Sequence, residues 1–146
     1  MNALVDTNLL SKFVFPDKND RESRRLVRFV LRRYTVQHNI VSLVEYARNL
    51  GLPDHKQRTL HQLIGQNPIV PNHADWRRSH YLLLEWAEKQ GRPDKDKRRK
   101  MQMDCLIAAM ALNRNFAVIT RDKDFIDLRN TRDGHRLHVV DLKTSE

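Results

Sequence analysis

The sequence has little of several residue types that mark common protein classes. Its single cysteine, Cys105, excludes an internal disulfide and any zinc site built from several cysteines. Only four glycines are present, and they lie too far apart to form a phosphate-binding loop or a dinucleotide-binding fingerprint. The apolar stretch near the N-terminus, residues 3–5, is too short for a signal peptide or a membrane span. We therefore expect a cytoplasmic protein that makes no contact with a membrane.

Positive charge is what the sequence has in excess. The 146 residues contain 27 lysines and arginines against 18 acidic residues, which leaves a formal net charge of +9. The length predicts one domain over residues 1–146 with a sizeable hydrophobic core. A strongly basic chain favours a polyanionic partner, with nucleic acid ahead of an acidic membrane surface.

Apolar runs and helical periodicity alternate along the chain. Strands are predicted at residues 3–5, 36, 40–41, 116–119 and 137–140, with a strand or extended connector at 69–70. Helices are predicted through residues 9–13, 20–33, 42–51, 54–65, 73–90 and 101–113, and Trp76, Leu83, Leu84 and Ala87 share one face of the fifth. The basic run 92–100 is interpreted as a mobile loop that runs into a helix. This alternation indicates an α/β sandwich around a mostly parallel sheet.

Four acidic residues stand where predicted strands end or where apolar helices begin. Asp6 follows the first strand, and Asp122 follows the strand that ends in Ile119 and Thr120. Glu45 and Asp104 each lie near the start of an apolar helix. In open α/β sheets the functional crevice lies beyond the carboxyl ends of the strands, so all four carboxylates can converge there.

Each acid also has a local structural interpretation. Ser42-x-x-Glu45 fits a capping box, and Asp104 could favour the positive end of its helix or pair with Lys100. Asp6 could belong to a simple turn and N-cap. Asp122 or Asp124 could cap a short helix that follows. The joint placement of these residues is what favours a site.

Converging carboxylates have an electrostatic consequence. Two of them ~4 Å apart repel each other by about 4 kcal/mol at an effective dielectric constant near 20. Such a group therefore retains protons or binds a cation, and oxygen ligands favour Mg²⁺ or Mn²⁺. A metal in an acidic pocket within a basic surface suits the hydrolysis of a phosphodiester.

Four segments together resemble a PIN-domain nuclease, particularly the compact ribonuclease toxins of the VapC type. They are Leu4-Val5-Asp6-Thr7-Asn8, Ser42-Leu43-Val44-Glu45, Met103-Asp104-Cys105-Leu106-Ile107-Ala108-Ala109 and Thr120-Arg121-Asp122-Lys123-Asp124-Phe125. The resemblance implies a three-layer α/β/α sandwich and Mg²⁺- or Mn²⁺-dependent cleavage of RNA.

The same resemblance implies roles for individual residues. Asp6, Glu45 and Asp104 would be catalytic metal ligands, with Asp122 as the fourth acid and Asp124 as its alternative. Thr7, Asn8 and Thr120 would support the site. The resemblance further implies a small antitoxin that blocks the site and a toxin that is often a dimer. A PIN nuclease of RNA processing and decay is the alternative within the same family.

Basic side chains suggest where RNA would bind. Arg98, Arg99, Lys100 and Arg121 are predicted to contact the RNA backbone near the acids. Five arginines also share one stripe of the second helix, which is interpreted either as a solvated face or as a surface for phosphates or an acidic antitoxin segment: Arg21, Arg24, Arg25, Arg28 and Arg32. Trp76 and Trp86 are assigned to the core or to half-buried positions rather than to base stacking.

Two other functions compete with a nuclease. A non-catalytic RNA-binding module could keep the same fold, with Glu45 and Asp122 acting only as helix caps. A phosphatase with Asp6 as its nucleophile would usually have a second aspartate two residues later. Asn8 occupies that position and counts against this third function.

Overall fold

Four parallel strands form one sheet in the computed structural model, which describes residues 1–48 and 51–142. The strands are β1 (Asn2–Val5), β2 (Thr35–Gln37), β3 (Ala117–Thr120) and β4 (His138–Asp141). Their order is β2-β1-β3-β4, and Ala3 of β1 pairs with Val36 on one side and Ala117 on the other. The predicted parallel sheet is confirmed, and β1 and β3 lie at its centre.

Helices connect all of these strands. In the described residues they are α1 (Thr7–Val14), α2 (Arg21–Arg33), α3 (Ile40–Ala47), α4 (Asp54–Ile64), α5 (His73–Lys89), α6 (Lys95–Arg114) and α7 (Asp124–Arg129). None of these helices combines the length and the apolar character that crossing a membrane requires.

The two central strands bury both of their faces. Ala3 and Val5 of β1 pack with Leu26 and Val30 of α2 on one side of the sheet. Leu4, between them, packs on the other side with residues of α5, α6 and α7. Successive side chains of a strand point to opposite faces, so an uninterrupted apolar strand needs helices on both sides. The α/β/α sandwich is thus confirmed.

Residues 40–41 form the first turn of α3, so the prediction of a strand there is wrong. The Asn39 side chain caps this helix by accepting the Ser42 backbone N–H at 2.9 Å. The capping box that Ser42 and Glu45 could form is therefore absent, because Ser42 lies inside the helix. The predicted end of this helix near Gly51 runs through residues 49 and 50, which lie outside the described residues. Residue 69 makes an isolated parallel bridge to Asn39, as an extended connector would.

Helix α6 begins at Lys95, six residues before its predicted start. Asp94 caps it by accepting the Lys97 backbone N–H at 2.8 Å, which satisfies a donor that would otherwise lack an intrahelical partner. The basic run leads into a helix, as predicted, but residues 95–100 already belong to that helix, so the interpretation of this part as a mobile loop is wrong.

The inward face of α5 also differs from the prediction. Leu82 and Trp86 are buried in the core, whereas Trp76 and Leu84 are half exposed. The orientation of α5 is set by its long contact with α6, which the periodicity of α5 alone does not contain.

Candidate active site

Asp6 lies at the carboxyl end of β1, buried between β3 and the start of α1. Its backbone N–H continues the sheet by donating to the Ile119 carbonyl at 2.9 Å. Asp6 occupies the N-cap position of α1, but its side chain makes no capping hydrogen bond. Instead its Oδ2 accepts the Thr120 hydroxyl at 3.0 Å. The carboxylate is therefore oriented by the neighbouring strand and not by its own helix.

The turn after β3 holds two further acids. The Thr120 hydroxyl that donates to Asp6 also accepts the Asp122 backbone N–H at 2.9 Å. Asp122 Oδ1 in turn accepts the backbone N–H of Asp124, the first residue of α7, at 3.1 Å. Asp122 thus satisfies a donor at the start of this helix, as its local interpretation predicted. Its Oδ2 remains directed towards Lys100 at 3.8 Å.

Glu45 reaches the site from the exposed side of α3. Its Oε2 accepts the Thr7 hydroxyl at 2.9 Å, which ties the third helix to the start of the first. The Ser42 hydroxyl, one turn earlier, donates to the Val5 carbonyl at 3.2 Å and fixes α3 against the end of β1. Thr7 and Thr120 thus each hold one acid in place.

Asp104 is buried halfway along α6. It is the tenth of the 20 residues of that helix, too far from the N-terminus to interact with its positive end. Lys100 forms its ion pairs with Asp122 and Asp124, at 3.8 and 3.7 Å, across the interface with the β3–α7 turn. Both local interpretations of Asp104 are therefore wrong, although the charge of Asp104 still raises the pKa of Lys100.

The five carboxyl groups act on one another, and we call them the acidic cluster: Asp6, Glu45, Asp104, Asp122 and Asp124. Burial and the charges of the other four members, with Asp6 the strongest, raise the pKa of Asp104 to about 9. Burial also raises the pKa of Asp6 to about 6, against the hydrogen bond from Thr120 that lowers it. Burial and the charge of Asp122 raise the pKa of Asp124, although Lys100 opposes this.

The donor set of the acidic cluster fits a hard cation, but its geometry is not yet that of a metal site. In residues 1–48 and 51–142, no three acidic, histidine or cysteine side chains are arranged to hold one ion. The donors are all carboxylate oxygens, which Mg²⁺ and Mn²⁺ prefer, and their mutual repulsion is what a divalent ion would relieve.

The predicted basic contacts lie at different distances from the acids. Lys100 touches the acidic cluster, and Arg121 lies beside it, with an ion pair to Glu22 of α2 at 3.6 Å. Arg99 is exposed on the first half of α6. Arg98 lines a separate cavity with the α5–α6 connection, so the structure does not bring it to the acids.

Two cavities flank the acidic cluster on different sides. A polar one of about 310 Å³ is lined by Asn8, Arg121, Asp122, Lys123 and Asp141. An apolar one of about 320 Å³ lies between α3, α5 and α6 and includes Glu45 and Trp76 in its lining. Sequence reasoning placed Asn8 and Arg121 near the site but missed the apolar cavity. The walls of the apolar cavity come from three helices that are separated in the sequence. Trp76 is the one residue whose type could have indicated the cavity from the sequence.

Comparison with known proteins identifies the family. The family model of the PIN domain matches residues 3–130, whereas no curated protein gives a significant sequence match. FitAcB from Neisseria gonorrhoeae is a similar solved structure, with a TM-score of 0.60 and 20% identity over 95% of this chain and 96% of that chain. VapBC2 from Rickettsia felis, bound to a DNA fragment from its promoter, has a TM-score of 0.63 and 14% identity over 97% and 98%. VapBC-5 from Mycobacterium tuberculosis, of the VapBC toxin-antitoxin systems, has a TM-score of 0.56 and 19% identity over 97% and 99%. Because the PIN domain family model matches residues 3–130, which is most of the chain, this chain belongs to the PIN domain family.

Proposed function

We propose that this protein is a Mg²⁺- or Mn²⁺-dependent endoribonuclease and the toxin of a type II toxin-antitoxin system. The observation that carries the proposal is the acidic cluster, whose members come from β1, α3, α6 and the β3–α7 turn. Bringing so many carboxyl groups together costs free energy, because each disfavours ionisation of the others. A stable fold has no need of such an arrangement, whereas metal-assisted phosphodiester hydrolysis does.

In this proposal, Asp6, Glu45, Asp104 and Asp122 hold the metal. When bound, the ion would polarise the phosphodiester and lower the pKa of the attacking water. The Thr7 and Thr120 hydroxyls orient Glu45 and Asp6, as outer-shell partners of metal ligands commonly do. Asp124 remains the alternative fourth acid, since its charge acts more strongly on Asp104 than that of Asp122 does.

Charge supports a nucleic acid as the substrate, and the resemblance to ribonuclease toxins makes RNA the proposed one. The chain carries a net charge of +9, yet its acidic cluster is buried or half-buried except at Glu45. Phosphates are therefore attracted to the surface of the protein. Lys100 and Arg121 provide positive groups for them at the edge of the cluster. In the free protein the single charge of Lys100 is shared between Asp122 and Asp124. With a metal in place, its ammonium group would be free to bind a phosphate.

A toxin also requires a partner that blocks it. The similar structures include toxin-antitoxin complexes, among them one from Klebsiella pneumoniae. We propose that a small antitoxin covers the acidic cluster of this chain, and that the chain forms a homodimer. A PIN nuclease of RNA processing is the alternative, and it needs no antitoxin.

Cleavage of a labelled single-stranded RNA, with and without Mg²⁺ or Mn²⁺, tests the enzymatic part. Asp6→Asn and Asp104→Asn should abolish cleavage, whereas Glu88→Gln, on the exposed surface of α5, should leave it unchanged. Cleavage that survives both aspartate substitutions, or continues in excess EDTA, would refute the proposal. Growth arrest on expression of the parent chain but not of Asp104→Asn tests the toxin assignment, and its absence favours RNA processing.

A non-catalytic RNA-binding module is the second candidate function. It is favoured by the spacing of the acids, which do not yet surround one point in the described part of the chain, and by the use of Asp122 in the turn before α7. This candidate predicts salt-sensitive RNA binding with no turnover in any divalent ion. The same cleavage assay, run beside a binding assay, separates the two.

A further inference from the structure

The apolar cavity between α3, α5 and α6 has the volume and lining of a ligand site, and we call it the base cleft. Its volume of about 320 Å³ is in the range of small-molecule sites in proteins. Val44 of α3, Trp76 of α5 and Met103 of α6 provide apolar walls, while Glu45 and Arg48 are the charged residues of its lining. Apolar walls with a few polar groups suit a flat ring that has polar edges.

Trp76 is the unusual residue of the base cleft. It is 50% exposed, and it does not belong to the hydrophobic clusters that form the core. Val70, on the same cavity, is 61% exposed. An indole held on a helix with half of its surface in water gains free energy when an apolar or aromatic group covers it.

The position of the base cleft connects it to the acidic cluster. Glu45 lines the cleft and also raises the pKa of both Asp6 and Asp104. Met103, which lies in the cleft wall, directly precedes Asp104. A group in the cleft is therefore next to whatever the acids act on.

The other side of the acidic cluster has a complementary character. There, the polar cavity of about 310 Å³ has two cations in its lining, Arg121 and Lys123, beside the carboxyl groups of Asp122 and Asp141. The two cations of this lining can contact phosphates, whereas the base cleft suits an apolar ring. A nucleic acid strand has a phosphate and a base ring at every nucleotide.

We infer that the base cleft binds one nucleobase of the substrate RNA beside the acidic cluster, stacked on the Trp76 indole. This inference rests on the proposed function, because it takes the occupant to be part of the strand that the acids cleave. Arg48 is the cation near this base that contacts its polar edge or the adjoining phosphate. Stacking is tolerant of base identity, so the cleft sets the position of the strand more than its sequence.

Two measurements test the base cleft, and the first needs no metal. Trp86 is buried, so fluorescence changes on addition of an RNA oligonucleotide in EDTA report mainly on Trp76. We expect the RNA to quench this signal in the parent chain and not in Trp76→Phe. Trp76→Ala should weaken RNA binding roughly 5- to 100-fold, while Trp76→Phe should retain most of the affinity.

The second measurement compares an RNA oligonucleotide with versions that lack single bases around the cleavage position. In the parent chain, removing the base that occupies the cleft should raise KM, and Trp76→Ala should show no further loss with that substrate. Tyr81→Ala is the control, because Tyr81 is 48% exposed on the same helix and does not line the cleft. Thermal melting confirms that each variant is folded.

The outcomes separate the inference from the proposed function. A parent chain that cleaves no RNA but shows the Trp76-dependent quench refutes the nuclease and retains the base cleft. Normal cleavage and binding by Trp76→Ala refute the base cleft alone. The cleft is likewise refuted if Trp76→Ala changes only the oligomeric state in light scattering, since this face would then bind a second copy of the chain.

Discussion

Thr120 connects two members of the acidic cluster through one hydroxyl group. It donates to Asp6 Oδ2 and accepts from the Asp122 backbone N–H, at 3.0 and 2.9 Å. Thr120 is completely buried, so no water can replace either bond without a change in the fold. The orientation of both acids therefore depends on this side chain.

Thr120→Val is expected to keep the shape of this residue and remove both hydrogen bonds. Because the orientation of Asp6 is lost, we expect Mn²⁺ affinity to fall by about 10- to 100-fold, as for other outer-shell partners of metal ligands. Calorimetric titration with Mn²⁺ measures the change. Thr120→Ser retains the hydroxyl and is the matched control, so an equal loss in both variants would argue against hydrogen bonding as the cause.

The pKa of Asp104, raised to about 9, predicts the pH dependence of stability in the absence of metal. The unfolded chain loses this proton near pH 4, whereas the folded chain keeps it, so the free energy of unfolding falls as pH rises between these values. The slope due to Asp104 reaches about 1.4 kcal/mol per pH unit. Asp6, with a pKa raised to about 6, adds to the slope between about pH 4 and pH 6.

Urea unfolding in EDTA from pH 4 to pH 9 measures this effect. Asp104→Asn removes the titrating group, so the free energy of unfolding of this variant should decline less with pH than that of the parent chain. Parallel pH profiles for the two proteins would contradict the raised pKa. Added Mg²⁺ binds ionised carboxylates and should therefore stabilise the parent chain more at pH 8 than at pH 5.

At the scale of the elements, contacts at the ends of helices and strands position the acids. One of these ends, the turn from α7 into β4, depends on a glycine. A Cβ atom at Gly134 would overlap the Leu128 backbone carbonyl and crowd the Thr131 hydroxyl. That hydroxyl accepts the Gly134 N–H at 3.0 Å, which closes the turn. The Gly134 position therefore has room for hydrogen only.

Gly134→Ala is expected to destabilise the fold by about 3 kcal/mol, because the clash is with backbone that cannot rotate away. For a chain of this size, the melting temperature should fall by about 6–12 °C. Gly65→Ala is the control, since a Cβ atom there makes only ordinary contacts at 3.5 Å. Calorimetric melting of both variants decides whether the loss is specific to the tight turn.

The elements that carry the acids could be predicted from the sequence to different extents. Residues 3–5 and 116–119 read as buried parallel strands because they are apolar without interruption, and Asp6 follows from the end of the first. The start of α3 was predicted at Ser42 because Ser42 could itself cap the helix. Asn39 is the cap instead, because its side chain accepts the Ser42 backbone N–H, and this puts Ser42 inside the helix. A half-buried Trp76 was among the predicted positions, but which face of α5 is turned outward could not be predicted, since that depends on how α5 packs against α6.

At the scale of the whole molecule, the excess of positive charge predicts salt-dependent RNA binding. The arginine stripe of α2 is exposed throughout, as a solvated face or a phosphate-binding face requires. Glu22 of the same helix pairs with Arg121, which places the start of α2 beside the acidic cluster. An RNA strand that runs from the acidic cluster towards α2 would therefore cross the arginine stripe.

Changing Arg25 and Arg28 together to alanine should weaken RNA binding and reduce its dependence on salt. Each phosphate contact contributes about 0.7 to the slope of log K against log salt for a single strand, so we expect the slope to fall by about 1.4. The matched control changes Arg129 and Arg132, which are exposed at the end of α7 and just after it, since the buried residues of α7 pack with α5 and α6 rather than with α2. Binding measured between 50 and 300 mM salt would contradict a role for the stripe if the two double variants behave alike.

The strand order gives the assembly of the acidic cluster a fixed place in the synthesis of the chain. β1 is made first, but it lies between β2 and β3 in the sheet, and the hydroxyl that orients Asp6 belongs to a residue 114 positions later. A nascent chain that has reached only α5 has neither Asp104 nor the turn after β3. On the proposed function, the chain therefore gains hydrolytic capacity only after its last third has left the ribosome, which would delay attack on the RNA around it.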